Sequence, residues 1–187
     1  MHHDHSGGLT YVNEQGELVS KYPNAKIIVN DVEWYEMRNP NNRTRGTYLR
    51  ENWEPIQEQV TLYSEYINVI PEIQMIRTSG HSNGHSIVLL KQGEDTMIHM
   101  GDLMLTHVHR NPLWVPAVDD YPMKSILAKD KWLRQAFENH YKFFFYHDQF
   151  FAVAEFDKEG KEFVDYVLRS RPPLISFTDK QDRKPDF

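Results

Sequence analysis

Ten histidines stand in a chain of 187 residues that has no cysteine, and most of them fall in groups. His2, His3 and His5 open the chain around Asp4. His81 and His85 lie in the run Gly80-His81-Ser82-Asn83-Gly84-His85. His107 and His109 form a pair, and His147 closes an aromatic run as Tyr146-His147-Asp148. Imidazole nitrogens and carboxylate oxygens hold borderline cations such as zinc at ~2.0–2.2 Å. Two such cations ~3.5–4 Å apart need a shared carboxylate and can share a hydroxide. Asp102, just after the apolar run Met97–Met100, is well placed to bridge. With no thiol in the chain, disulfides and thiolate sites are excluded, and any metal chemistry rests on His and carboxylate side chains.

The elements around these groups are short. Met1–Thr10 is polar and reads as a loop leading into a helix start. Lys26–Val29 reads as a buried strand, after which Asn30 or Asp31 caps a short helix through Met37. Asn39–Arg45 carries turn chemistry, and Glu51–Gln59 has weak helical character with Pro55 in its first turn. Alternation then favours strands at Val60–Tyr63, Ile73–Thr78, Ser86–Lys91 and Thr96–Met100, the last two joined by a hairpin connection at 91–95. Arg110–Pro122 is a proline-rich loop carrying Trp114 and Tyr121. Met123–Asn139 is the strongest helix, with an apolar stripe of Met123, Ile126, Leu127, Leu133, Ala136 and Phe137. Strand Tyr141–Tyr146, an apolar run at Phe150–Phe156, a turn at Asp157–Lys161 and a short amphipathic segment at Phe163–Leu168 follow, and a tail over 170–187 is expected to fray. Strands alternating with helices point to α/β layers. Each histidine group lies after or beside a strand end, where a layered fold brings distant loops together.

The motifs, in chain order, resemble those of the metallo-β-lactamase superfamily. Asp4-His5 aligns with the end of its His-x-His-x-Asp-His motif, which makes His2 the second histidine, His3 a spacer, and puts the first histidine one place before Met1. Gly80-His81-Ser82-Asn83-Gly84-His85 is similar to the Gly-His-Thr-x-Gly-His segment, Met100-Gly101-Asp102 to the Gly-Asp strand end with its bridging carboxylate, and Tyr146-His147-Asp148 to the final histidine ligand. The resemblance implies two divalent metal ions, read as zinc. One would take His2 and His81 with the upstream histidine, the other Asp4, His5 and His147, with Asp102 between them and His85 supporting from behind. Within the superfamily, Gly101-Asp102-Leu103-Met104, His107, His109 and Pro112–Val115 look most like the quorum-quenching lactonase and methyl parathion hydrolase branch. Those lactonases carry a Tyr three residues after the bridging Asp, where this chain has Leu105.

The resemblance implies an αββα sandwich, and the chain matches its C-terminal portion, with most of the first sheet missing and residues 1–187 forming one incomplete domain. Losing that sheet is expected to expose an apolar face and a bare edge strand, which favours homo-oligomers. The implied reaction is attack by a metal-bridging hydroxide on a lactone of the N-acyl homoserine type or a related ester. Asp4 and Asp102 would serve as catalytic carboxylates, and His107, His109 and Trp114 would line the substrate pocket. Alternatives are a phosphotriesterase or arylesterase on the same centre, and a silent chain that only binds metal or self-associates. Each residue also has a plainer reading alone: a tag scar for the opening histidines, loop positions for His81, His85, His107 and His109, a hydrogen-bonded core residue for His99. A net charge of −6 with no Lys/Arg run speaks against a nucleic-acid partner. No apolar run approaches the ~18 residues of a membrane span, and the reading is of a cytoplasmic protein with a small-molecule substrate.

Overall fold

The computed structural model describes residues 1–170. Most of the tail expected to fray, 171–187, lies outside the described residues. A one-turn helix, α1 (His3–Ser6), leads into a hairpin of β1 (Thr10–Val12) and β2 (Leu18–Ser20) that the sequence did not signal. β3 (Ile27–Asn30) then feeds α2 (Asp31–Arg38), whose cap is Asn30: its side chain accepts from Val32 N–H at 3.1 Å. After 3-10 turns at Arg50–Asn52 and Glu54–Gln59, β4 (Val60–Tyr63) pairs in parallel with β3. Val29, Trp34, Met37 and Tyr48 form a small core over this pair.

The remaining strands build one seven-stranded sheet. These are β5 (Tyr66–Ile70), β6 (Ile73–Arg77), β7 (Ser86–Gln92), β8 (Asp95–His99), β9 (Lys142–Phe144), β10 (Phe151–Phe156) and β11 (Phe163–Leu168). They lie in chain order across the sheet, from β5 at one edge to β11 at the other. Every neighbouring pair is antiparallel except β8 and β9. A parallel step needs a long crossover, supplied here by α3 (Pro122–Glu138). Trp132, Leu133, Ala136 and Phe137 of α3 pack on Ile87, Leu89, Ile98, Phe143, Ala154 and Phe156 of the sheet, which makes the main core. Truncating a fully buried member such as Phe143 to Ala would cost about 3–5 kcal/mol.

The α/β class expected from the sequence stands. Besides the β1–β2 hairpin, two segments differ from expectation. Phe163–Leu168 is a full strand, because its backbone completes the ladder of β10, and β5 was not signalled at all. The buried face of α3 also differs: Met123 and Leu127 are exposed, whereas Ser125 and Lys129 are fully buried. Polarity misled the helical stripe here, since the Lys129 ammonium finds two carbonyls inside the protein, Asn111 O at 2.8 Å and Trp114 O at 2.5 Å. Among the described residues, no helix is long and apolar enough to cross a membrane.

Candidate metal centre

Four chain segments converge at the loops flanking β6, β8 and β9. The first is the opening turn. Ser6 Oγ bonds back to His2 O at 3.0 Å, and His3 N–H donates to Thr47 O at 2.9 Å. That fixes α1 so that His2 is buried while Asp4 and His5 face outward. The second is the loop after β6. Gly80 has φ +108°, and a Cβ there would sit 2.8 Å from Ser125 Cα; at Gly84 it would sit 2.3 Å from Glu33 N. Both glycines of the run are required by close backbone approach, and between them His81 is carried inward. The third is the turn after β8. Gly101 has φ +54°, and a Cβ would lie 2.6 Å from His85 Nε2. Asp102 N–H donates to that same nitrogen at 3.2 Å, while His85 Nδ1 meets Thr78 Oγ1 at 2.8 Å. His85 thus acts as a neutral acceptor behind Asp102, with burial pushing its ring down to about 3. The fourth is Tyr146-His147, just past β9.

The side chains meet in two groups that share Asp102. His2 Nδ1 lies 2.9 Å from His81 Nε2, and His81 Nε2 lies 3.0 Å from Asp102 Oδ2. On the other side, His5 Nε2 is 2.9 Å from Asp102 Oδ2 and 3.2 Å from Asp4 Oδ2, and His147 Nε2 is 3.4 Å from Asp102 Oδ1. In each group, one donor atom per residue falls within 4.8 Å of all the others. Burial opposes the Asp102 charge, but the hydrogen bonds and charge of His5 and His81 hold its carboxyl far below the usual carboxylate range. Burial, with His81 next to it, pushes His2 down to about 4, so its ring is neutral. Burial also opposes a charge on His81, yet Asp102 and Asp119 outweigh it and push that ring up to about 9.

This donor set fits divalent cations. His2 Nδ1, His81 Nε2 and Asp102 Oδ2 crowd three acceptor-type atoms around a single proton, and His2 Nε2 is buried without a partner. A cation satisfies several lone pairs at once where a proton satisfies two. Imidazole with carboxylate, and no thiolate, matches the preference of zinc and its neighbours.

Two residues that sequence reasoning did not single out complete the arrangement. Asp119, buried in the proline-rich loop, accepts from His81 Nδ1–H at 2.8 Å and so fixes which nitrogen faces Asp102. Its loop is held in turn by Arg43, which bonds Asp120 Oδ1 at 2.7 Å and the carbonyls of Ala117 and Asp119 at 3.2 Å. The second is Tyr146, whose hydroxyl reaches Asp102 Oδ1 at 2.8 Å. The signal for Asp119 was only an acidic residue in a proline-rich loop, indistinguishable there from a solvated turn.

A cleft of about 690 Å³ opens beside the centre, lined by His2, His3, Asp4, Arg43, Thr47, His81, Asp102, Leu105, Thr106, His109, Ala117, Val118, Asp120 and His147. His109 lies in it, with Nδ1 bonded to Thr106 Oγ1 at 2.9 Å. His107 does not line it; its Nδ1 and its backbone N–H are tied to buried Asp148 Oδ2 at 2.6 and 2.7 Å, and its ring packs on Phe151. Trp114 is 56% exposed and borders a separate hollow with Val108, Arg110 and Gly160. His99 Nδ1 donates to Phe144 O at 3.0 Å, as a core histidine should.

Comparison with solved structures gives close matches. A probable metal-dependent hydrolase from Staphylococcus aureus superposes with a TM-score of 0.86 at 35% identity, covering 92% of this chain and 61% of that one. AbOPH, a hydrolase in the β-lactamase superfamily, gives 0.72 at 21% identity over 91% of this chain and 62% of its own. AidC, a dizinc quorum-quenching lactonase solved with a homoserine product, gives 0.69 at 17% identity over 89% and 60%. The chain therefore spans about three fifths of the length of these neighbours. No family model matches the chain, and no curated protein matches it.

Proposed function

We propose, from the fold that the chain shares with hydrolases of the metallo-β-lactamase superfamily, that it is a metal-dependent hydrolase acting on a lactone of the N-acyl homoserine type or a related ester. The observation that carries the reading is the shared carboxylate: Asp102 contacts His81 through Oδ2 and His147 through Oδ1. In this reading His2 and His81 hold one divalent ion, Asp4, His5 and His147 hold the other, and Asp102 serves both. Zinc suits these donors. Such a pair of cations supplies an activated water and polarises the acceptor oxygen.

The chain's own residues do the rest. Asp119 keeps His81 in the tautomer that offers Nε2, and His85 holds the Asp102 turn through its backbone N–H. Asp4, 44% exposed at the mouth of the cleft, takes the proton released by the attacking water and returns it to the leaving alkoxide. Leu105, Ala117 and Val118 give the cleft an apolar wall that suits an acyl chain or aryl group. Leu105 keeps a second reading open, an aryl phosphotriester or aryl ester on the same centre, because this side chain offers the substrate no hydrogen bond. Self-association through the exposed sheet edges belongs to the same reading.

The test is metal content first. Elemental analysis of protein purified without a chelating column should give close to two metals per folded chain, and Asp102→Ala should lose at least one of them and lower hydrolysis by about a hundredfold or more. Turnover of an acyl homoserine lactone against an aryl phosphotriester then separates the two substrate readings. An Asp102→Ala protein with unchanged metal and unchanged turnover would falsify the assignment.

A further inference from the structure

The Tyr146 hydroxyl reaches the centre from the end of β9. It lies 2.8 Å from Asp102 Oδ1 and 2.6 Å from His5 Nδ1. Its ring is wedged among three imidazoles, at 5.0 Å from His5, 4.4 Å from His147 and 4.8 Å from His99. Such packing fixes where the O–H points. The side chain is 38% exposed and lines a smaller hollow of about 240 Å³, which shares His2, His81 and Asp102 with the cleft, so a substrate placed over Asp102 can meet it. In the reading above both groups hold cations, Asp102 through its carboxylate and His5 through Nε2, the nitrogen that faces Asp102 and Asp4. His5 Nδ1 then carries its proton and donates to the phenol oxygen, and with the Asp102 lone pairs engaged the phenol O–H is left to donate elsewhere. Beside the cleft, Thr106 Oγ1 is already bonded to His109 Nδ1, and Leu105 offers no polar group.

We propose that Tyr146 is a catalytic hydrogen-bond donor, whose O–H binds the substrate oxygen that gains negative charge as water attacks. This rests on the hydrolase reading above. In the step, the water oxygen bonds to the acyl carbon and its proton passes to Asp4. The carbonyl oxygen becomes anionic and accepts the Tyr146 O–H, with no proton transferred. The bond to the leaving oxygen then breaks, and that oxygen takes the proton back from Asp4. A donor aimed at charge that develops only in the transition state acts on kcat more than on KM.

The variant is Tyr146→Phe, which keeps the ring packing and deletes one oxygen. Three measurements are made on folded, metal-loaded protein: metal affinity by chelator competition, steady-state hydrolysis, and calorimetric binding of an alkyl phosphonate that mimics the tetrahedral anion. Metal affinity should stay within about threefold, kcat should fall by ten- to a thousandfold with KM nearly constant, and phosphonate binding should weaken at least tenfold. Equal phosphonate affinity in the two proteins overturns the proposal, even if the unaltered chain hydrolyses nothing tested and the parent reading fails separately. A tenfold or larger loss of metal affinity also overturns it, because the Tyr146 hydroxyl would then serve the metal ligands rather than the substrate.

Discussion

His81 carries a carboxylate on each ring nitrogen, and the two do different work. Asp102 on Nε2 shares the position a cation would take, whereas Asp119 on Nδ1 only orients the ring. Partners of this outer kind affect metal affinity by about 10–100-fold. Asp119→Asn should therefore weaken metal binding by that factor in chelator competition while leaving the ligands themselves in place. Unchanged affinity would reduce Asp119 to a packing residue. At this scale the sequence pointed to the side chains that meet at the centre and was silent about their supports. His2, Asp4, His5, His81, Asp102 and His147 stand in recognisable local patterns. Asp119 and Tyr146 reach the centre only through the path of a loop and the end of a strand, so no spacing rule points to them.

Lys129 shows the same limit for an element. Its position on α3 turns it into the core, where a helical stripe predicts an apolar side chain, and it holds the proline-rich loop by the carbonyls of Asn111 and Trp114. Burial pushes the ammonium down to about 8, with Asp119 opposing, from an ordinary 10.5. A lysine whose folded pKa lies below its unfolded one binds fewer protons when folded across that interval. Its cost to stability is complete below pH 8 and is relieved as pH rises from about 8 towards 10.5, at up to roughly 1.4 kcal/mol per pH unit. The unfolding midpoint in urea should accordingly rise, or fall less steeply, over that range, and Lys129→Met should remove this component. A variant with the same pH profile as the parent would contradict the account. The glycines were more legible than the helix face. Gly80, Gly84 and Gly101 stand in the motifs that the sequence singled out, and each meets a neighbouring group too closely for any side chain.

Across the whole molecule, two cores lie side by side: the small one over β3 and β4, and the large one between α3 and the seven-stranded sheet. The centre sits where they meet, with His2 and His5 contributed from beside the first and His81, Asp102 and His147 from beside the second. Both edges of the large sheet carry exposed apolar side chains, Tyr66 and Ile70 on β5, and Val164, Tyr166 and Leu168 on β11. Edge strands of this character pair with other chains. Sizing chromatography with light scattering should find dimers or larger species at micromolar concentration, and Val164→Lys with Leu168→Lys should shift the distribution towards monomer. A monomer at all concentrations would remove self-association from the reading.

The amino-acid sequence by itself determined the chemistry available: imidazole and carboxylate without thiol, grouped beside strand ends in an order that resembles one superfamily. It also determined most element positions, because hydrophobic period and turn residues are local properties. Only the tertiary structure decided that Asp102 stands between two groups of His and Asp side chains, that Asp119 and Tyr146 join them, and that His107 and Trp114 stay outside the cleft. These are long-range facts. His5 and Asp102 are 97 positions apart in the chain yet 2.9 Å apart in space. Distances of that kind follow from sheet order and from the packing of α3, which no local pattern encodes.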